Sequence, residues 1–484
     1  MRILLVQPEY KVPNFGFRLA AMPEPLHLEI LAGAAPGHEY RVLDMRLDDD
    51  LLAVLEAFGP DVVAVTALTT EVYAARDVLA TVKGFNEGIF TVVGGHHATL
   101  MPEDFMCPEV DAIALGEGEF AFPKLTEAVA ARQRDLSAVP NIIWRDGEGE
   151  FRATERQWPT ARSMDELALP RRDLVSQYRP EYFFLFDKPD SSVASSRGCP
   201  FHCNFCSVHE FFAGKTRQMS VDRLMKEIHQ VDTPHITFVD DNFLMNVKRE
   251  SALADRIKAE GLDMTFSMES RTDTIAKHPE LVEKWVDIGL YAVLLGLEGA
   301  TQDSLTNVNK SNRIEVNDRA IEILKDLGVI VWGAFIADPG WEADDFKRLR
   351  DYVNAREITH TQFTVLTPLP GTQLYRQMQD QLLTNDYTCY DTLHAVTPTK
   401  LPREEFYQHF ANLYKQTDLG PYMDLVRSGK LSIDDVKRGK AIFDGMSNWE
   451  NYLVNDPVLG QTRTDAETLP GARLRAQREA MGKS

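Results

Sequence analysis

The sequence is short of positive charge. Its 484 residues include 52 Lys and Arg against 73 Asp and Glu, which gives a formal net charge of −21. Proteins that bind nucleic acid draw their affinity from clustered basic residues, so we expect no nucleic-acid partner. The chain also lacks any apolar run of the roughly 20 residues that a bilayer crossing needs. We therefore expect no transmembrane segment.

The amino-terminal residues lack the features of a signal peptide. The opening sequence MRILLVQ has neither a basic region followed by a long apolar stretch nor a small-residue cleavage site. The predicted location is therefore the cytoplasm.

Cysteine is scarce, and its five residues are an odd number that does not indicate a disulfide framework. Cys107 and Cys389 stand alone, whereas Cys199, Cys203 and Cys206 fall within eight residues. Lone cysteines most often serve as small packing residues, although Cys389 could also be a second thiol of the site.

The three clustered cysteines have the spacing C-x3-C-x2-C. Such thiolates can bind three irons of a cubane cluster and leave the fourth iron without a protein ligand. A structural zinc ion normally has four protein ligands, and neither His202 nor His209 gives a usual finger spacing. Chance clustering is the third alternative, although thiolates at this spacing usually bind metal.

The order of apolar and helical patterns predicts an α/β protein in four parts. Residues 1–135 alternate short apolar runs with helical segments, which predicts a doubly wound, Rossmann-like domain whose ligand lies beyond the carboxyl ends of its strands. Residues 136–190 are rich in Pro and Arg and are interpreted as a packed linker. Six further strand–helix units in residues 191–375 predict a partial (β/α)6 barrel of the TIM type. Residues 376–484 are predicted to be mostly helical.

The segment Arg197-Gly198-Cys199-Pro200, with the two cysteines that follow, resembles the radical S-adenosylmethionine (SAM) enzymes. In that family the cysteines bind a 4Fe–4S cluster whose open iron is chelated by SAM. The resemblance implies that SAM is also contacted by the aromatic residue before the third cysteine and by side chains near later strand ends. Taken singly, the carboxylates among them could instead cap helices or form ion pairs. These residues are Phe205, Asp240, Asp241, Ser267, Glu269, Arg271, Glu298 and Ile336.

The first domain resembles the cobalamin-binding domain that often precedes a radical SAM barrel. Glycines after its fourth and fifth strands would let the backbone approach a bulky nucleotide tail. Leu68 is expected near cobalt without a bond to it, because no Asp-x-His-x-x-Gly sequence supplies a histidine ligand; His97 is expected to hydrogen-bond the cofactor tail or to be a satisfied loop residue. The implied cobalamin-binding residues are Thr66, Leu68, Gly94, Gly95, His97, Thr99, Gly116, Glu117, Gly118 and Glu119.

Together these resemblances imply a cobalamin-dependent radical SAM methyltransferase. Such an enzyme moves a methyl group from SAM, by way of methylcobalamin, to a carbon that is not nucleophilic. It requires an external low-potential electron donor of the flavodoxin or ferredoxin type. Catalytic residues beyond the cofactor ligands are not assigned.

The substrate prediction is a hydrophobic polycyclic molecule. The stretches around residues 16–19, 44–46, 69–73 and 94–97 look most like hopanoid C-3 methylases, which methylate the A-ring of a pentacyclic lipid. A lipid substrate would place the protein at the membrane periphery. Aromatic residues of the carboxyl-terminal helices could line an apolar cavity or form ordinary core. These are Phe406, Tyr407, Phe410 and Tyr414.

Three alternatives to a hopanoid methylase stay open. The same architecture can catalyse an oxidative cyclisation or rearrangement without methyl transfer. It can also methylate a small molecule of another class, such as a tetrapyrrole or a natural product. The non-enzyme alternative is an iron–sulfur electron carrier or a cobalamin sensor.

Overall fold

The computed structural model of the chain describes residues 1–9, 20–157, 164–185, 187–415, 426–427 and 432–460. Residues 16–19, which contribute to the hopanoid resemblance, lie outside this set. No helix in these described ranges has the length and hydrophobicity that a bilayer crossing requires.

The first 153 residues build a seven-stranded sheet in the order β3-β1-β4-β5-β6-β7-β8. The first five strands in that order are parallel, and the last two are antiparallel additions. The strands of this region are β1 (Arg2–Gln7), the short β2 (Ala21–Met22), β3 (Glu39–Asp44), β4 (Val62–Thr66), β5 (Phe90–Gly94), β6 (Ala112–Ala114), β7 (Ile142–Arg145) and β8 (Phe151–Ala153). The helices are α1 (Leu26–Ala34), α2 (Leu51–Phe58), α3 (Val72–Phe85), α4 (His96–Leu100) and α5 (Gly118–Ala130).

The interior strand β1, which lies between β3 and β4, is buried on both of its faces. Ile3 and Leu5 belong to the core shared with α1 and α5, whereas Leu4 and Val6 belong to the core shared with α2 and α3. A parallel strand covered by helices on both sides reads as a continuous apolar run, which is the pattern of this segment. The predicted doubly wound architecture is confirmed.

The segment predicted as a linker contains regular structure. Its β7 and β8 extend the first sheet, and β9 (Phe183–Phe184) pairs with β2. Further along, Arg172 and Arg179 form buried ion pairs of 2.5 and 2.6 Å with the two carboxylate oxygens of Glu24. The segment is therefore bound to the first domain by pairing of strands and by charge. The three boundaries between the four predicted parts stay a prediction.

The second sheet has six parallel strands in the order β10-β13-β14-β15-β16-β17. This sequential order, with helices between the strands, is the predicted partial barrel. The strands of this region are β10 (Asp190–Val193), β11 (Ser196–Arg197), β12 (Arg217–Gln218), β13 (His235–Phe238), β14 (Thr265–Ser270), β15 (Leu290–Glu298), β16 (Ile330–Ala337) and β17 (His360–Val365). The helices are α6 (Val208–Phe212), α7 (Val221–Ile228), α8 (Val247–Glu260), α9 (Thr272–Lys277), α10 (Pro279–Val286), α11 (Gln302–Asn307), α12 (Ile314–Asp326), α13 (Ala343–Ala355) and α14 (Gln373–Met378).

The barrel's first strand, β10, is a free edge of its sheet, and side chains from outside the barrel cover that edge. The Ser192 amide donates to Glu24 Oε1 at 2.8 Å, and Arg172 Nη2 donates to the Ser192 carbonyl at 2.9 Å. Unpaired backbone groups at a sheet edge otherwise invite pairing with another chain. The Glu24 ion cluster thus satisfies the barrel edge and joins it to the first domain.

The described residues after the barrel include the helices α15 (Arg403–Leu413) and α16 (Ile433–Ser447). The aromatic residues Phe406, Tyr407, Phe410 and Tyr414 are buried in the barrel's outer core. Of the two readings of these aromatics, the structure supports ordinary core packing. Cys389 is also buried, and its thiol donates to the Asn455 carbonyl at 3.2 Å.

Glu29 makes the stability of the first domain dependent on pH. Burial, together with the neighbouring Glu24 carboxylate, raises the pKa of Glu29 to about 8. Between roughly pH 4.5 and 8 the folded chain keeps a proton that the unfolded chain has lost. The contribution of this group to the free energy of unfolding is therefore complete below that range and decreases as pH rises through it, by at most about 1.4 kcal/mol per pH unit.

We expect Glu29→Gln, which is neutral at every pH, to raise Tm relative to the wild type by more at pH 8.5 than at pH 5.5. Thermal unfolding followed by circular dichroism measures the difference. Glu56→Gln, an exposed glutamate of α2, is the control and should give no pH-dependent difference. A constant offset for Glu29→Gln at both pH values would contradict the expectation.

Candidate functional site

A cavity of about 530 Å³ lies where the carboxyl ends of the first sheet face the mouth of the barrel. Eight of the ten residues predicted to bind cobalamin line it: Thr66, Leu68, Gly94, Gly95, Gly116, Glu117, Gly118 and Glu119. The barrel contributes a mostly apolar wall made of Ser192, Ala194, Arg197, Phe211, Phe212 and Val239.

Glycines shape the cavity on the side of the first sheet. Gly95 has a φ of +93°, and a Cβ atom there would lie 2.6 Å from Thr66 Oγ1. Gly116 also has a positive φ, of +73°, and open space where its side chain would be. A Cβ on Gly118 would lie 3.0 Å from Leu31 Cδ1 of α1. Side chains at these positions would fill a cradle between the strand ends and α1, so the residues present fit a bulky ligand at this place.

Leu68 projects into the cavity, and 54% of it is exposed there. Its backbone amide donates to Glu71 Oε2 at 2.9 Å, and Gln7 Nε2 donates to Glu71 Oε1 at 3.0 Å. These bonds fix the loop after β4 while leaving the leucine side chain open to a ligand. The position of Leu68 next to cobalt stays a prediction.

The structure does not bring His97 and Thr99 to the cavity wall. His97 is buried, with Nε2 at 3.2 Å from Asp104 Oδ2 and Nδ1 at 3.1 Å from Thr69 Oγ1. Tyr387, from the segment after the barrel, donates to the same Asp104 oxygen at 2.7 Å. Thr99 Oγ1 accepts from the Gly116 amide at 2.8 Å, so it supports the glycine loop from behind.

Two other histidines line the cavity instead. The ring of His96 stacks on Phe211, with centroids 4.7 Å apart and planes within 7°. His27, at the start of α1, also borders the cavity. Burial lowers the pKa of each to about 4, so both are neutral at pH 7. Sequence reasoning missed His27.

Glu117 and Glu119 face the cavity but are engaged by arginines. Arg197 pairs with both carboxylates, and Arg217 pairs with Glu117. Arg197 and Arg217 are register partners in the antiparallel pair β11–β12. The four side chains form a buried, charge-balanced cluster at the boundary between the first domain and the barrel.

The cysteine loop leaves β11 through a tight turn. Gly198 has a φ of +82°, and a Cβ atom there would lie 2.1 Å from the Lys215 carbonyl oxygen. The Gly198 amide donates to Asp241 Oδ2 at 2.9 Å. Only glycine fits this position, because the backbone needs both the positive φ and the close approach.

The three clustered thiols are partly or fully buried at the barrel mouth. Burial raises the pKa values of Cys199, Cys203 and Cys206, that of Cys206 to about 12. No group of three or more His, Cys, Asp or Glu side chains in the described ranges converges as the ligands of one ion would. Ligands of a multi-iron cluster are spread around it, so three separate thiolates fit a cluster better than a single zinc ion.

Two of the residues expected to contact SAM form hydrogen bonds to other residues of the barrel. Asp240 is buried and accepts from the Ser195 amide at 3.0 Å and from Ser195 Oγ at 2.7 Å, as well as from Ser196 Oγ. Ser267 Oγ lies 2.8 Å from Thr237 Oγ1 inside the barrel. Asp241 differs, because it supports the cysteine loop through Gly198 and burial raises its pKa to about 6.

Other expected SAM contacts gather around the cysteine loop. The Arg271 guanidinium lies 3.6 Å from the centre of the Phe201 ring, which belongs to that loop. Glu298 pairs with Lys310 at 2.6 Å. Glu269, near the carboxyl end of β14, is exposed, and desolvation by the protein around it raises its pKa to about 7. Phe205 and Ile336 are half-buried on the cysteine loop and on β16. Lys310 was missed because it lies in a loop with no motif of its own.

Comparison with known proteins decides the family. Residues 16–126 match the B12 binding domain model, and residues 193–353 match the Radical SAM superfamily model. The chain is 32% identical over 418 residues to the hopanoid C-3 methylase of Methylococcus capsulatus, an alignment covering 84% of this chain and 78% of that protein. The chain belongs to the cobalamin-dependent radical SAM methyltransferases. Its cofactors are cobalamin, SAM and a 4Fe–4S cluster, and the interpretation as an enzyme is confirmed.

Other relatives of this methyltransferase differ in their named activities. An anaerobic magnesium-protoporphyrin IX monomethyl ester cyclase from Rubrivivax gelatinosus is 26% identical, with 86% of this chain and 77% of that protein covered. Among solved structures, the cobalamin-dependent radical enzyme OxsB covers 99% of this chain and 80% of its own, with a TM-score of 0.67 at 15% identity. The radical SAM methyltransferase TsrM from Kitasatospora setae covers 78% of each chain, with a TM-score of 0.63 at 18% identity. These two structures share the fold.

The cysteine loop predicts the metal content of this methyltransferase. Anaerobic reconstitution should give about four iron and four sulfide per chain. We expect Cys203→Ala to lose the cluster, because only two thiolates of the loop remain. Iron and sulfide analysis with the absorbance spectrum measures it. Cys389→Ala, which removes a buried thiol outside the loop, should keep the cluster; one zinc per chain in the wild type would contradict the prediction.

The glycine cradle predicts where cobalamin binding can be blocked. A Cβ atom on Gly94 would meet Ala114 Cβ at an ordinary 3.6 Å, so Gly94→Leu should extend into the cavity without straining β5. We expect its Kd for cobalamin to rise at least about tenfold, a loss of 1.4 kcal/mol. Absorbance titration measures the Kd. Gly84→Ala, which meets no atom within 4 Å, is the control, and wild-type affinity in Gly94→Leu would place cobalamin elsewhere.

Proposed function

We propose that this methyltransferase acts on an unactivated carbon of a hydrophobic polycyclic substrate, and specifically on the A-ring of a hopanoid at C-3. The observation that carries the proposal is the 32% identity to a hopanoid C-3 methylase, which extends through both the first domain and the barrel. The apolar barrel side of the cavity supports it, because Ala194, Phe211, Phe212 and Val239 can contact hydrocarbon rings.

When bound, the cofactors supply the reductive cleavage of SAM and the transfer of its methyl group through cobalt. Under this proposal Cys199, Cys203 and Cys206 bind the cluster. The positive side chains of Arg271 and Lys310 lie beside the cysteine loop, where they offset the negative charge of thiolates. Phe205, Asp241, Glu269, Glu298 and Ile336 then border SAM, and Asp240 and Ser267 support them from within the barrel.

The same proposal gives the first domain its role. The cavity-lining glycines and Leu68 hold cobalamin against the strand ends, and His96 and His27 offer neutral hydrogen-bonding groups. Val239, 46% of which is exposed, faces the cavity from the barrel. A substrate held between the two domains is shielded from water, which protects a radical on carbon.

The proposal includes partners and a location. A low-potential protein of the flavodoxin or ferredoxin type supplies the electrons that the cluster needs. The protein acts in the cytoplasm, at the membrane periphery if the hopanoid is taken from the lipid phase.

A cyclase or rearrangement activity is the second candidate. Its support is the ring-forming cyclase relative, which covers 86% of this chain. Methylation of a tetrapyrrole or a natural product shares the same chemistry with another substrate, as two bacteriochlorophyllide methyltransferases among the relatives illustrate.

Labelled-methyl SAM, supplied with a hopanoid, cobalamin and a chemical reductant, tests the proposal. We expect the label in a C-3 methylated hopanoid, detected by mass spectrometry. Val239→Asp should lower that product at least about tenfold, because a charge would be buried against hydrocarbon, while SAM cleavage without substrate continues. The control is Leu52→Asp, a change at an exposed leucine of α2. Label in a tetrapyrrole, or SAM cleavage that yields a rearranged product without label, would favour the alternatives.

A further inference from the structure

Four charged side chains connect the two halves of the site. Arg197 and Arg217 belong to the strand pair β11–β12, whereas Glu117 and Glu119 flank Gly118 at the start of α5. Each of the four side chains is at least 87% buried. With two positive and two negative charges, the cluster is balanced within itself.

Each side of the cluster is attached directly to a loop that serves a cofactor. Arg197 precedes Cys199 by two residues, with the constrained Gly198 between them. Glu117 and Glu119 belong to the glycine loop that lines the cavity. The two carboxylates are engaged by the guanidinium groups of Arg197 and Arg217.

We propose that the Arg197–Glu119 and Arg197–Glu117 contacts set the separation and orientation of the iron–sulfur cluster and cobalamin. These residues are then positioning residues and not cofactor ligands. This inference depends on the family's two cofactors and is independent of the hopanoid assignment. A buried ion cluster contributes little net stability, because desolvation offsets its attraction. Its directional, two-sided contacts do restrict how the cysteine loop and the glycine loop face each other.

A second contact between the same two regions supports this role. Phe211 lies in α6, five residues after Cys206, and stacks on His96 of α4, which follows the glycine pair at the end of β5. The boundary between the first domain and the barrel is therefore fixed on two sides of the cavity. Ion pairs fix it after the carboxyl end of β6, and aromatic stacking fixes it after the carboxyl end of β5.

The reaction needs such precision. Hydrogen removal and methyl delivery must act on one substrate carbon, so the two cofactors must approach it in a fixed geometry. A displacement of about 1 Å can cost on the order of a hundredfold in rate. Loosening the contacts among the four charged side chains should therefore lower the rate of methyl transfer by about tenfold to a hundredfold. SAM cleavage, which needs only the barrel, should continue.

The test compares Arg197→Gln, Glu119→Gln and the double variant, each loaded with both metal cofactors. Pulsed dipolar EPR measures the distribution of distances between the reduced iron–sulfur cluster and cob(II)alamin, and it needs no substrate. We expect one narrow distance in the wild type and a broadened or shifted one in all three variants. The double variant leaves Glu117 paired with Arg217 and should regain thermal stability relative to the single variants, yet it should keep the broadened distance.

Two results would overturn the proposal. A double variant that regains both stability and the narrow distance would show that the residues only balance buried charge. Loss of cobalamin binding with an unchanged distance in the remaining loaded fraction would make Glu117 and Glu119 cofactor ligands. Arg197→Lys keeps the charge and is the milder variant if the others fold poorly; it should broaden the distance, because lysine lacks the planar fork.

Glu127→Gln, at an exposed position of α5, is the matched control and should retain the wild-type distance. If no hopanoid is methylated, the distance measurement is unaffected, so failure of the substrate assignment and failure of the positioning role are distinguishable.

Discussion

The site exists because the strands of a parallel sheet all end at the same edge. Five strands of the first sheet and all six of the second are parallel, and the chain turns the carboxyl ends of these strands toward one another. Loops that follow strands therefore meet across one cavity, although they are far apart in sequence. The glycine loops after β5 and β6 line one side of that cavity, and Arg197, Phe211 and Phe212, which flank the cysteine loop in sequence, line the other. Ligands of parallel α/β sheets bind at this edge for the same reason.

The cavity keeps little free charge even though the chain as a whole is strongly acidic. Its charged side chains are engaged by other protein groups: Glu24 pairs with Arg172, and Glu71 accepts a hydrogen bond from the neutral amide of Gln7. In the described part of the chain, the buried atoms left without a hydrogen-bond partner include His96 Nε2 and the hydroxyl oxygen of Ser192, both of cavity-lining residues. A lining of this kind favours a ligand with neutral amide or hydroxyl groups on an apolar frame.

Periodicity predicted the alternation of helices with strands that are buried on both faces, such as β4 (Val62–Thr66). The first barrel strand, β10, follows this pattern poorly, because it begins with Asp190 and two serines whose burial depends on tertiary hydrogen bonds. The hairpin β7–β8 was missed because its short strands follow weak local patterns. Both belong to the edges of sheets, where neighbours decide the structure more than propensity does.

The candidate site also contains some residues that the sequence identifies and others that only tertiary contacts determine. Spacing identified the three cysteines, and the resemblance to cobalamin-binding domains identified the glycine loops, because metal ligation and backbone approach require particular residue types. The choice between His96 and His97 depends on which neighbour turns toward the cavity, and Lys310 reaches Glu298 from a loop twelve residues away. Such details are set by tertiary contacts that no local motif records.

The side chains that cover the edge strand β10 have a consequence for any attempt to join this barrel to a different amino-terminal domain. Glu24 and Arg172 lie upstream of the barrel, yet they satisfy the backbone of its outermost strand at Ser192. A gene fusion that joined this barrel to a foreign amino-terminal module at the linker would leave that strand uncovered and prone to associate with other chains. Glu24 and Arg172 are thus part of the surroundings that the barrel of this chain needs, although both precede it in the sequence.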